Sequence, residues 1–204
     1  MTPDSRVQQA LHQYREARET YLLLIASHSD IPKPTLAALH QSVGLCSIEL
    51  KDDRAAEDNL QKAITLHNER GQTLDAVKGD HGRGRLLIRQ GHLKRGLAVL
   101  RPVRHQYLIH SLAEEAGLCG FEMVGALLML DEFEKAERLA RTIMNEFLLA
   151  ALNVRALTAL GYLTEAIMSR QASPKLVDHV YEYVLSLRTK PEREFTQLPS
   201  TDAD

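Results

Sequence analysis

Almost nowhere does the chain alternate apolar and polar positions as a strand would. Helix-forming runs fill it instead, each closed by a short polar, glycine or proline break. Taken in order, the breaks predict nine helices, at about 3–26, 35–50, 53–69, 73–90, 93–109, 112–130, 132–147, 151–170 and 174–188. Thr2-Pro3-Asp4 supplies a capping hydroxyl, a proline at the first helical position and an acid near the positive end of the dipole. Asp30-Ile31-Pro32-Lys33-Pro34 ends the first helix, because neither proline can donate into one. Lys51-Asp52-Asp53, Gln90-Gly91-His92, Leu130-Asp131-Glu132 and Gln171-Ala172-Ser173-Pro174 read as turns inside hairpins, and Gly71 fits a C-terminal cap. The outcome is all-α: one lone helix and then four hairpins, forming a single helical-repeat domain over 1–188. Residues 189–204 follow as a polar tail whose end is expected to be disordered.

Ala56, Gly96 and Ala136 stand forty residues apart, each shortly after a break. Self-similarity at a fixed period predicts a solenoid. Gly44, Ala56, Leu60 and Ala63 form one set of small and large positions; Gly84, Gly96, Leu100 and Val103 form the next. The third unit reads DEFEKAERLARTIM, with Phe133 and Ala136 in place. In these positions the chain resembles the tetratricopeptide family, whose small residues let paired helices approach while larger ones fill the groove between them. That resemblance implies a right-handed superhelix of antiparallel hairpins, with the first helix of each unit lining a concave groove. There are departures: a period of forty where the family uses about thirty-four, Val124 and Leu176 at small positions, and Arg83 where a core leucine is usual. From about Gly91 to Phe195 the chain also resembles a bacterial tetratricopeptide-like group. Its members close with an alanine-rich helix, an amphipathic helix and an R-x-x-P-E tail, here Ala150–Met168, Pro174–Leu187 and Arg188-Thr189-Lys190-Pro191-Glu192. This implies a regulatory or scaffold role. The DNA-binding or zinc-binding segment that members often carry has no counterpart in zinc-ligand spacing or a helix-turn-helix.

Composition narrows the class without naming a partner. Of 204 residues, 44% are hydrophobic and 25% charged, with a net charge of −2, so no global charge pulls the chain toward nucleic acid or membrane. No apolar run is long enough to span a bilayer, and the polar N-terminus lacks a secretory core. Cys46 and Cys119, both in apolar helical stretches, read as buried free thiols, and a cytoplasmic setting follows.

Charge is unevenly spread. Between Ala76 and His105 lie eight Lys/Arg against the single acid Asp80, while between Ser111 and Ala150 eight acids face three bases. Lys78, His81, Arg85 and Arg89 fall at spacings of three and four on one stripe of the fourth helix. No acid lies in that stripe, and Asp80 is off it. The stripe is expected to line the groove and hold a protein partner or acidic peptide by charge-assisted hydrogen bonds. Two other outcomes stay open. One is a transcription-linked regulator touching nucleic acid through the basic 78–104 patch, which is disfavoured because few aromatics are present to stack bases. The other is a self-assembling homo-oligomer joining basic and acidic hairpins. The helix Gly117–Leu130 carries one charge, Glu122, and is expected to be covered on all sides. Otherwise Leu118, Phe121, Gly125 and Leu128 form an apolar contact surface. Glycines 79, 82 and 84 are expected to loosen the fourth helix, and Pro102 to kink the fifth. No catalytic constellation, metal motif or cofactor motif stands out among the nine histidines and the acids. The expectation is therefore a non-catalytic binding protein without metal or cofactor.

Overall fold

The computed structural model describes residues 3–27, 30–69, 71 and 73–198. Among them are nine helices and no strand: α1 (Pro3–Ser27), α2 (Lys33–Glu49), α3 (Asp53–Asn68), α4 (Thr73–Arg89), α5 (Leu93–Ile109), α6 (Ala113–Met129), α7 (Phe133–Leu149), α8 (Val154–Met168) and α9 (Pro174–Ser186). None is long and apolar enough to cross a membrane. Thr2, expected to cap α1, and the end of the tail from Pro199 lie outside the described residues. α2 starts two residues earlier than its prolines suggested. Pro32 stands at the N-cap and Pro34 in the first turn, where a missing N–H costs nothing.

The forty-residue period has a simple origin. Lys51, Gly71, Gly91, Ser111, Asp131 and Ala151 stand twenty residues apart, and all take positive φ, between 49° and 80°. After α2, the N–H of Asp52 bonds to Ser47 O at 2.9 Å and that of Lys51 to Ile48 O at 3.0 Å. The same two bonds recur at Gly91 and His92, Ser111 and Leu112, Asp131 and Glu132, Ala151 and Leu152, and Arg170 and Gln171. A left-handed residue thus turns the chain and uses carbonyls that the helix end leaves unpaired. α2, α4, α5, α6 and α7 each have 17 residues. For α2, α4, α5 and α6 the helix and the three-residue turn after it make twenty, and a hairpin makes forty.

The chain divides into two compact units, Met1–Val99 and Leu100–Asp204. In the first unit α1 packs on α2, α2 on α3, α3 on α4, and α4 also reaches α2. Ile48, Ala56, Leu60 and Leu86 form the buried cluster at its centre. The glycines of α4 prove to be packing surfaces rather than points of fraying. The helix is unbroken, and Gly79 and Gly82 are buried against Ile64 and Leu60. A Cβ at Gly79 would stand 2.6 Å from Ile64 Cγ1. Arg83 stays half-exposed, 3.0 Å from Asp80, so it takes no leucine-like core place.

In the second unit α6 packs on α7, α7 on α8 and α8 on α9, and α9 returns to pack on α6. These four helices close a ring. Phe121 of α6 meets Phe147 of α7 and Tyr181 of α9 edge-on, at 6.5 and 6.4 Å between ring centroids. This closure is why the almost uncharged part of α6 from Gly117 onward is stable here. Leu118, Phe121 and Leu128 are 6%, 0% and 5% exposed, so they are core and present no apolar contact surface. Cys46 and Cys119 are free and buried. Burial pushes both thiols up, and Cys119 bonds to Leu100 O at 3.6 Å.

Candidate functional site

The predicted stripe forms, but its charges are already engaged. Lys78 Nζ lies 3.0 Å from Asp75 Oδ1, one turn earlier on α4. Arg85 Nη2 lies 3.1 Å from Glu49 Oε1 at the end of α2. Arg89 bonds to Asp53 in the first turn of α3 and to the carbonyl of Ile48 in the last turn of α2. From the other side, Arg18 of α1 reaches Asp52 at 2.9 Å. The acids of the α2–α3 turn are thus met by three arginines from two neighbouring helices. Both helix ends gain from this: the carboxylates sit at the start of α3, where Asp52 Oδ1 accepts from Ala55 N–H, and Arg89 satisfies a carbonyl at the close of α2. The expectation that no acid neutralises the stripe therefore needs correction. Glu49 and Asp53 are thirty-six residues away in sequence and are brought to it by the fold. His81 lies on the same stripe, half-buried. Of the remaining basic residues between Lys78 and Arg104, Arg104 pairs with Glu146 of α7.

A second site was not anticipated. Residues 191–198, read as a polar tail, run in irregular conformation over α8 and α9. Three side chains donate to three main-chain carbonyls of this segment. Asn153 Nδ2 reaches Pro191 O at 3.0 Å, Tyr183 Oη reaches Arg193 O at 2.8 Å, and His179 Nε2 reaches Thr196 O at 2.7 Å. The last bond requires the proton of His179 on Nε2. Asn153 is oriented by its second role as N-cap of α8, its Oδ1 accepting from Arg155 N–H at 2.9 Å.

Side chains of the segment are read as well. Phe195 sits against three rings, with centroids 5.0 Å from Tyr183, 5.5 Å from His179 and 5.6 Å from Tyr162. Arg155 forms ion pairs with Glu192 at 3.5 Å and Glu194 at 3.3 Å. Loss of solvation raises the pKa of the Tyr183 phenol, opposed by Arg155, so the hydroxyl stays a donor at neutral pH. Just before the segment, Arg188 pairs with Glu114 at 2.7 Å and Glu115 at 3.3 Å on α6. The R-x-x-P-E motif of the sequence is therefore wholly engaged, through Arg188, Pro191 and Glu192.

No protein-family model, curated protein or solved structure matches this chain. The α4 stripe spends its arginines on holding α2 and α3. The α8–α9 face holds an irregular peptide by its main chain, an aromatic anchor and two carboxylates. The signal for the second site was present in the sequence as Asn153, Arg155, Tyr162, His179 and Tyr183, but these are spread over thirty residues on two helices. Only their packing makes them one surface.

Proposed function

We propose that this chain is a non-catalytic scaffold that binds a protein partner through a peptide segment, on a tetratricopeptide-like array of helix hairpins. The observation that carries it is the α8–α9 face, where side-chain donors address three main-chain carbonyls of an irregular segment, those of Pro191, Arg193 and Thr196. Recognition of this kind suits a peptide, because every peptide offers those carbonyls, while pockets for single side chains add selectivity. The α4 stripe of Lys78, His81, Arg85 and Arg89 remains a candidate for an acidic partner, which would have to exchange with Glu49 and Asp53. A cytoplasmic setting belongs to the same proposal and fits the two free thiols.

The test is photo-crosslinking in the native host. A crosslinking residue is placed in turn at Arg85, at Tyr162 and on the outer side of α7. A stoichiometric protein adduct at one of the first two positions, and none at α7, is the expected result. No protein adduct at any position would sink the scaffold reading.

A further inference from the structure

We propose that the α8–α9 face is a peptide-binding site which the chain fills in cis with its own residues 191–196. A partner segment of the same chemistry then enters by displacing the tail. That chemistry is Glu-x-Glu-Phe: two carboxylates two residues apart, the second followed directly by an aromatic ring. The inference rests on the scaffold reading and adds to it the site, the ligand class and the control.

The contacts divide by kind. Those to Pro191, Arg193 and Thr196 go to carbonyls and would serve any segment of the same course. Selectivity comes from Phe195 among Tyr162, His179 and Tyr183, and from Arg155 reading Glu192 and Glu194. An aromatic anchor in a pocket with a charged rim is the arrangement that concentrates binding energy in few residues.

The grip is also of a kind that lets go. The Glu192 and Glu194 side chains are each 87% exposed, so their ion pairs with Arg155 are weak and screened. Phe195 is the segment's one aromatic anchor. Against this stands the entropy of ordering a segment that makes no helix or strand of its own. The tail holds because its attachment at Arg188 gives it a high effective concentration. A free peptide competes poorly until the tail is released, which makes the tail a gate on the site.

The experiment uses the full-length chain and a fluorescein-labelled peptide of residues 190–198, Lys-Pro-Glu-Arg-Glu-Phe-Thr-Gln-Leu, followed by polarisation. Phe195→Ala releases the tail by removing the anchor; Glu192→Lys with Glu194→Lys releases it by charge while leaving the ring. Both variants alter only exposed or half-exposed tail positions, and an unchanged helical melt verifies the fold. Each is expected to bind the peptide about ten-fold or more tighter than the wild type. Adding Arg155→Glu or Tyr162→Ala to either variant should lose that gain, as should alanine for phenylalanine in the peptide. Equal affinity for wild type and both released variants, or no binding to either variant, overturns the proposal. So does a wild type that dimerises with concentration and loses this in Phe195→Ala, since the tail would then act between copies. A partner crosslinked at Arg85, with no peptide bound at α8–α9, overturns this site and leaves the scaffold reading standing. No adduct anywhere overturns the scaffold reading itself.

Discussion

Leu60 occupies the space that a side chain at Gly44 would need: a Cβ there would lie 2.7 Å from Leu60 Cγ. Two periods further on, Val124 and Ala140 hold the corresponding positions, and both are fully buried. The sizes are exchanged across the pair, large on α6 and small on α7. This explains why Val124 is tolerated at a position where a small residue was expected. The total volume at the site is roughly conserved.

Gly44→Ala should therefore destabilise by about 1–3 kcal/mol, the usual cost of overpacking. Leu60→Ala alone should cost about 2–5 kcal/mol through its cavity. Gly44→Val with Leu60→Ala copies the arrangement of the third unit and should cost less than the sum of its parts, because contacting sites couple. Urea unfolding of the wild type, Gly44→Val, Leu60→Ala and the double variant gives the coupling energy. Strict additivity would show that the two positions do not share a space.

The arginines of α4 carry a different expectation from the one their sequence suggested. As groove residues they could be reversed without harm to the fold. Paired with Glu49 and Asp53 they cannot. Arg89→Glu should lower stability by about 1 kcal/mol, the upper range for a half-exposed pair, and more at low salt. Arg89→Glu with Asp53→Arg should recover part of it. A melting temperature indifferent to Arg89→Glu at low ionic strength would return the stripe to the role of a free binding surface.

Ala151 turns the chain with φ at 49° and has no polar side chain to offset the strain. An L-residue in the left-handed region costs about 1–2 kcal/mol. Glycine avoids that cost but gains unfolded-state entropy. Ala151→Gly should raise stability by about 0.5–1 kcal/mol, and Gly91→Ala, at φ of 80°, should lower it by about 1 kcal/mol. Thermal melts that move in the opposite directions would contradict the turn geometry.

Asp178 on α9 has its pKa raised, first by loss of solvation and then by the charge of Glu122 on α6. A carboxyl with a higher pKa folded than unfolded takes up a proton on folding. Its contribution therefore favours the fold at low pH and is lost as pH rises through the folded pKa. Asp178→Asn should be more stable than wild type at pH 7, and the difference should close below about pH 4, where both side chains are neutral. A gap that is constant with pH would mean that the substitution acts through packing alone.

Local chemistry was enough to read the helices, the turns and the period from the sequence. Helix propensity, caps and left-handed residues act within a few positions, and twenty-residue modules follow from them. The same is true of the run Gly117–Leu130, since a helical stretch of that length with one charge can only be stable when covered. What covers it was not legible. That α9 closes on α6, and that Phe121 lies between Phe147 and Tyr181, depends on contacts across sixty residues. The site was legible only where it lay on one helix. A stripe at spacings of three and four can be read from α4, as can Asp75 one turn before Lys78, but the acids that pair with Arg85 and Arg89 stand thirty-six residues away. Residues 191–196 read in the sequence only as part of a polar tail. They are held by Asn153, Arg155, Tyr162, His179 and Tyr183, which no local rule joins. Periodicity is a property of neighbours along the chain, whereas charge pairing and the binding of the tail are properties of neighbours in space.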